Sequence, residues 1–386
     1  MPSPSRDSAS IRNSDVPLDR SEGLGGQSIE GRLAILGTKD EASWMEVIHG
    51  AGGHDFCHLP SYHRVAESEG DGLAQLFVWR EAGHMIALPL LVRPVDPAQP
   101  NGWQDATSVY GYGGPIVSPS DIPDSVIRHF QAALLQSFHA LRIVTAFSRL
   151  HPLLPQHHIL QGLGEFKIKG PTISIDLTQS EEVQWAGYHK RCRNSIRKLL
   201  EAGFVGVHDT EMRYLPEFVE IYHETMGRVS AHQDYYFDLA YFQTLARELG
   251  PTLHLFVVLY NDQVAGATLA TLAGGIMQDF LGGSRNDFLK MSPDRLSVDT
   301  ERRYGRQMGA HVLHLGGGVG SQEDSVFEYK SRFSDRRHTF STWQALFLPE
   351  VYKELCEEKA RLNAALNRRA TNPDYFPAYR CPTVPL

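Results

Sequence analysis

From Leu33 to Phe347 the chain runs twice through one succession of elements, which narrows its fold more than any single motif. Apolar periodicity and turn residues predict a strand over Leu33–Leu36 and helices over Asp40–His49 and Pro60–Glu69. A hairpin follows, Leu73–Trp79 and Met85–Val92, turning at Glu-Ala-Gly-His. The glycine-aromatic run Tyr110-Gly111-Tyr112-Gly113-Gly114-Pro115 reads as the next strand, then a helix from about Pro123 to Ala140 and a strand over Ile143–Phe147. In the second half Thr172–Leu177 reads as a strand, Glu181–Ala202 as one long helix and Val205–Val207 as a short strand. Two helices (Leu215–Met226, Asp238–Leu249) and a hairpin (Leu253–Leu259, Val264–Leu272) turning at Asn261-Asp262 come next. Strand Ile276–Leu281, helix Pro293–Met308 and strand His311–Leu315 complete the repeat; an aromatic strand at Thr339–Phe347 and a charged helix, Pro349–Arg369, follow it.

The expected fold is therefore α+β, with two tandem domains, each a mixed, mostly antiparallel sheet flanked by helices. Their expected extents are 31–170 and 171–348, joined through the His-, Pro- and Gly-rich stretch Pro152–Gly170, with 349–386 a C-terminal helix and tail. Residues 1–30 hold seven serines and no aromatic residue, and read as a disordered tail. Across 386 residues, 42% hydrophobic and 21% charged side chains supply enough apolar material for a core. No apolar run approaches the ~20 residues of a membrane span, and the N-terminus lacks the order of a secretory signal, so a cytoplasmic location is expected. The net charge of -8 argues against a globally basic nucleic-acid binder but leaves a local basic stripe open. Cys57, Cys192, Cys356 and Cys381 form no CxxC pair, so free thiols and no metal site are expected.

Three stretches carry chemistry. The first, His189 to Lys198, holds Lys190, Arg191, Arg193, Arg197 and Lys198 and no acid. At roughly 100° per residue these fall opposite Trp185, Tyr188, Cys192, Ile196 and Leu199. Such a face is either a solvated helix surface or a stripe that contacts nucleic-acid phosphates. The second is Tyr222-His223-Glu224-Thr225-Met226-Gly227-Arg228 followed by Tyr235-Tyr236-Phe237. Arg228 is either a helix-end cation or a bidentate anion clamp, and the aromatics are either core or substrate wall. The third is Phe327-Glu328-Tyr329-Lys330-Ser331-Arg332-Phe333, shortly after Leu315-Gly316-Gly317-Gly318. By itself Lys330 reads as a snorkelling surface lysine. Arg302-Arg303-Tyr304-Gly305-Arg306 faintly resembles a coenzyme A pyrophosphate loop, although it falls inside a predicted helix.

The element order resembles a GNAT acyltransferase domain present twice, and the three stretches resemble the Fem-like aminoacyltransferases. That family moves amino acids from aminoacyl-tRNA onto peptidoglycan precursors, or in some members onto natural products. The resemblance implies that Lys330 lies at the reaction centre as a catalytic residue. It implies that Arg228, Tyr329, Phe333, Tyr235 and Tyr236 face substrate, and that Lys190, Arg191, Arg193, Arg197 and Lys198 contact tRNA. Tyr329 stands where family members carry phenylalanine. The implied partners are aminoacyl-tRNA as co-substrate and an amine-bearing small molecule or muropeptide as acceptor, with no further cofactor. No long coiled-coil insertion of the kind some cell-wall members carry is apparent, which favours a small-molecule, natural-product acceptor. The alternative is an acyl-CoA-dependent N-acyltransferase of the GNAT superfamily. Asp279 and His314 fall in predicted strands, and neither is assigned as base.

Overall fold

Three tight turns set the sheet. Ala82-Gly83, Asn261-Asp262 and Gly274-Gly275 all take positive φ at both central positions (48° and 77°, 47° and 60°, 55° and 77°), the backbone twist that joins adjacent antiparallel strands in two residues. The computed structural model describes residues 31–154, 156–229 and 236–386; the tail assigned to residues 1–30 and Tyr235 lie outside them.

The first half runs β1 (Arg32–Leu36), α1 (Glu41–Gly50), α2 (Pro60–Ser68), β2 (Leu73–Glu81), β3 (His84–Pro94), β4 (Gln104–Thr107), β5 (Ile116–Ser118), α3 (Asp124–Ala140) and β6 (Ile143–Leu150). A seam follows: β7 (Glu165–Asp176), α4 (Glu181–Gly187) and α5 (Lys190–Glu201). The second half is β8 (Val205–Asp209), α6 (Leu215–Arg228), α7 (Leu239–Leu249), β9 (Leu253–Tyr260), β10 (Gln263–Ala273), β11 (Ile276–Ser284), α8 (Asp294–Gln307) and β12 (Val312–Gly316). The chain continues through α9 (Ser325–Lys330), β13 (Arg337–Leu346), α10 (Pro349–Ala365) and a small hairpin, β14 (Arg368–Ala370) with β15 (Thr383–Pro385).

The repeat is topological. β1-β2-β3-β4 and β8-β9-β10-β11 are antiparallel runs, and each ends on a parallel neighbour, β6 beside β4 and β12 beside β11. A helix pair connects the first two strands of each run, and a single helix makes the crossover to the parallel strand. The second copy therefore begins at β8, not at residue 172. The boundary expected after residue 170 falls inside β7, whose first part pairs with β13 and whose last part pairs with both β12 and the start of β13. β13 in turn pairs with β6, so both copies lie in one sheet ordered β1-β2-β3-β4-β6-β13-β7-β12-β11-β10-β9-β8, with β5 on β3.

Two further expectations change. Residues 110–115 are irregular rather than a strand, because Gly111 (φ 116°) and Gly114 (φ 104°) interrupt extended pairing; the third strand is β4. The predicted helix over 181–202 is broken: Tyr188 and His189 are extended and separate α4 from α5. One core joins α1 and α2 to α6 and α7; Arg64 on α2 bridges Glu41 (2.9 Å) and Glu248 of α7 (2.8 Å). The opposite face carries two separate cores, one under α3 and one under α5, α8 and α9. Among the described residues no helix is long and apolar enough to cross a membrane.

Candidate active site

The parallel strands β11 and β12 pair over only three residues, Ile276–Gln278 against Val312–His314. Just beyond, each bulges against its other neighbour: the β10 register skips Phe280, and the β7 register skips Leu315. A bulge re-aims side chains and frees backbone groups. In the gap lies a cavity of about 320 Å³, lined by Gln278, Asp279 and Phe280 on one side and Leu315 to Gly318 on the other. Lys330 enters it from the last turn of α9, a helix started by Asp324, which accepts from Val326 N (3.1 Å) and Phe327 N (3.0 Å). The Lys330 ammonium donates to the carbonyl of Leu315. Gly316 is needed here. Its φ is +75°, and a Cβ would sit 3.4 Å from Lys330 Nζ and 3.5 Å from the Tyr112 hydroxyl.

Asp279 shares the cavity with Lys330. Burial raises its carboxyl above the usual range, and the Lys330 ammonium only partly pulls it back. Glu301 on α8, fully buried and facing the hydroxyls of Thr268 and Ser297, adds to that neighbourhood. Burial and then the Asp279 charge push the Glu301 carboxyl well above its usual value, which favours its protonated form. Asp279 and Lys330 thus line one cavity with Glu301 buried behind them, an arrangement that raises the carboxyl of a proton acceptor beside a cation.

The first copy supplies the opposite wall through Tyr110 to Tyr112 and Arg149. Arg149 lies over the rings of Tyr110 (5.5 Å) and Phe147 (5.8 Å), and among the described residues its guanidinium makes no ion pair. Tyr112 packs edge-on to His314 (5.1 Å) and Phe340 (5.1 Å). His314 is behind the wall, with Nδ1 at 2.6 Å from Gln278 Oε1 and Nε2 at 2.9 Å from Thr172 Oγ1. Burial, with His151 and Lys330 nearby, holds it neutral. Both ring nitrogens are occupied, so of the two strand residues only Asp279 reaches the cavity. Beneath Tyr112, Leu153 N–H donates to His151 Nδ1, which leaves Nε2 to donate to Asp55 (3.0 Å), a buried brace that fixes the loop.

Residues 186–331 match the family model described as an acetyltransferase (GNAT) domain. Among solved structures the chain is similar to FemX, with a TM-score of 0.65 and 14% identity over 84% of this chain and 99% of that one. This chain's own repeat of β-αα-βββ-α-β supplies the second copy. The protein has a tandem GNAT fold of the FemX type. It is also similar to L-PGS from Bacillus licheniformis (TM-score 0.51, 13% identity, 82% of this chain and 94% of that one). A conserved protein of unknown function from Bacteroides thetaiotaomicron matches likewise (TM-score 0.51, 9% identity, 81% and 98%). No curated protein sequence matches.

Within this tandem GNAT frame the expected site residues divide. Lys330 lines the cavity. Tyr329 and Phe333 do not: both pack in the core, against each other (5.3 Å), and Phe333 also against Tyr188 (5.2 Å). The Tyr329 hydroxyl faces Asp294. Arg228 is held away from the cavity by Asn286 Oδ1 (2.7 Å) and Thr225 Oγ1 (2.8 Å), and Tyr236 leans on His223 (5.9 Å). On α5, Lys190, Arg191, Arg197 and Lys198 are exposed, while Cys192, Ile196 and Leu199 are buried. Arg193 is used internally, donating to the carbonyls of Ala186 (2.8 Å) and Tyr188 at the end of α4. His189 N–H donates to Arg332 O (2.8 Å), which ties the start of this basic helix to the segment after Lys330. Arg302 is buried against Asp299, Gln184 and Glu181, so the Arg302–Arg306 run offers no phosphate loop. Tyr112, Arg149 and Gln278 were not expected; the glycine spacing of 110–114 is the one signal in the sequence that marks their neighbourhood.

Proposed function

We propose that the protein forms an amide bond, transferring an aminoacyl group from aminoacyl-tRNA onto an amine of a small-molecule (natural-product) or peptidoglycan-precursor acceptor. The observation that carries this reading is Lys330, anchored on Leu315 O in the gap between β11 and β12 and sharing the cavity with Asp279. An aminoacyl ester is already activated. The acceptor amine attacks the ester carbonyl, a C–N bond forms, and negative charge gathers on the carbonyl oxygen. The Lys330 ammonium has two N–H groups left to meet that oxygen, a contribution of roughly 3 kcal/mol for such a donor. Asp279, with its raised carboxyl, takes the amine proton. The C–O bond then breaks, and the proton passes to the departing ribose oxygen. The exposed face of α5 supports a polyanionic donor.

The coenzyme A reading draws on the acetyltransferase domain match. Against it stands the start of α8, the anion-binding end of the crossover helix, where Asp294 is the first residue and places a carboxyl of its own. Incubation with charged tRNA and an acceptor amine, repeated after RNase treatment, tests the choice. Loss of product on RNase treatment is expected; product that survives it, or saturable protection of the fold by coenzyme A, overturns the tRNA assignment.

A further inference from the structure

A second cavity, of about 370 Å³, lies back to back with the first: Tyr110 and Phe280 line both. Its remaining walls include the rings of Tyr62 and Tyr241, and Glu69 and Asp71 stand at its edge. Tyr62 meets Phe280 edge-on at 6.1 Å, and Tyr110 meets it at 6.3 Å. Among the described residues neither Glu69 nor Asp71 forms an ion pair. Arg93 acts on Asp71 from a distance but is engaged by Asp105, which also holds Arg380. Both carboxylates act on the cavity interior: after burial, Glu69 and then Asp71 are what push the Tyr241 phenol upward.

The two cavities therefore differ in charge across a shared aromatic wall. One presents Lys330 and Arg149 beside Asp279, the other the carboxylates Glu69 and Asp71 among ring faces, with no cation in its lining. A cation is attracted to such faces when its water is stripped and to the carboxylates at their edge, an anion is repelled by those carboxylates, and a neutral group gains neither attraction. In the first cavity an ammonium meets two cations and one carboxylate.

We propose that this second cavity is a recognition subsite for an aliphatic ammonium group carried by one of the two substrates, held while the reacting carbonyl lies against Lys330. The assignment to a substrate rests on the transfer reading; the binding chemistry does not. Calorimetry on the full chain, without donor, compares 1,5-diaminopentane with pentan-1-ol on the wild type and on the Glu69→Gln/Asp71→Asn double variant. Both altered side chains are exposed, so the variant is expected to keep its melting temperature. The diamine is expected to bind the wild type at least tenfold more tightly than the alcohol and to lose about tenfold in the variant, with the alcohol unchanged. Equal binding of diamine and alcohol, no diamine binding, or full diamine affinity in the variant overturns the subsite. Transfer assays locate the source. A loss of kcat/KM in the variant confined to lysyl- and arginyl-tRNA assigns the cation to the transferred group. A loss shared by every donor, seen in the acceptor KM, assigns it to the acceptor, and no loss with any pair overturns its place in a substrate. If the wild type transfers nothing, the tRNA reading fails while the calorimetric result stands by itself.

Discussion

Replacing Lys330 by methionine removes one charge while keeping an unbranched side chain of similar length. The ammonium uses one N–H on Leu315 O and keeps two for substrate. At a separation of about 4 Å and an effective dielectric near 20, a unit charge on the oxyanion is stabilised by ~4 kcal/mol. Loss of a single oxyanion donor is typically worth ~2.7–4 kcal/mol, or about 10²–10³ in rate. The two estimates agree, so kcat is expected to fall by about 10²–10³. KM should change little, since the charge appears only in the transition state. A second effect follows from the same removal: Asp279 and Glu301 lose the positive charge of Lys330, which draws their carboxyls down. The acid limb of the pH profile of Lys330→Met should therefore lie higher than that of the wild type. Single-turnover quench-flow with charged tRNA, at several pH values and with melting curves as a folding control, reads both effects. A correctly folded Lys330→Met that keeps kcat within about threefold, with an unmoved acid limb, removes Lys330 from the reaction centre.

Asp279→Asn should lower kcat. In the wild type, activity should rise with pH through a carboxyl lifted above its ordinary 3.8, because only the deprotonated form accepts the amine proton; a flat profile at the acid end removes Asp279 as base. Gly316→Ala forces a side chain into left-handed backbone at 3.4 Å from Lys330 Nζ. The expected cost is ~1–2 kcal/mol of stability, read as a lower melting temperature, together with reduced turnover. Gln at Lys190, Arg191, Arg197 and Lys198 together should weaken charged-tRNA binding and flatten its salt dependence by up to about four charges, leaving the melting temperature unchanged. Filter binding across a salt series that shows the wild-type slope would take α5 out of the interface.

The repeat was legible because the two-residue turns and the crossover helices leave local marks, and local marks were all it required. The break between α4 and α5 was missed because Tyr188, Cys192 and Ile196 keep helical spacing straight through it; Gly187 was the stop signal. The run at 110–115 alternates aromatic and small residues as a strand does, and the positive φ of Gly111 and Gly114 decides otherwise. In the site, Lys330 was legible from its neighbours in the chain. Arg149, Tyr112 and Asp279 meet it only because the sheet brings residues far apart in sequence to one gap, and pairing at that distance leaves no local trace. Tyr329 and Phe333 show the converse: although next to Lys330 in the chain, they pack in the core behind it.

The position of β13 bears on how the protein comes off the ribosome. Trp343, near the far end of the chain, is fully buried in the core of the first half, and β13 covers the edge of β6. Nearly two hundred residues separate Leu150 from Leu346, so at ~5–20 residues per second the nascent first half waits roughly 10–40 s with an open edge and an unfilled indole slot. Until β13 emerges that half keeps an unpaired strand edge, and any stop codon before residue 337 removes the strand that pairs with both β6 and β7.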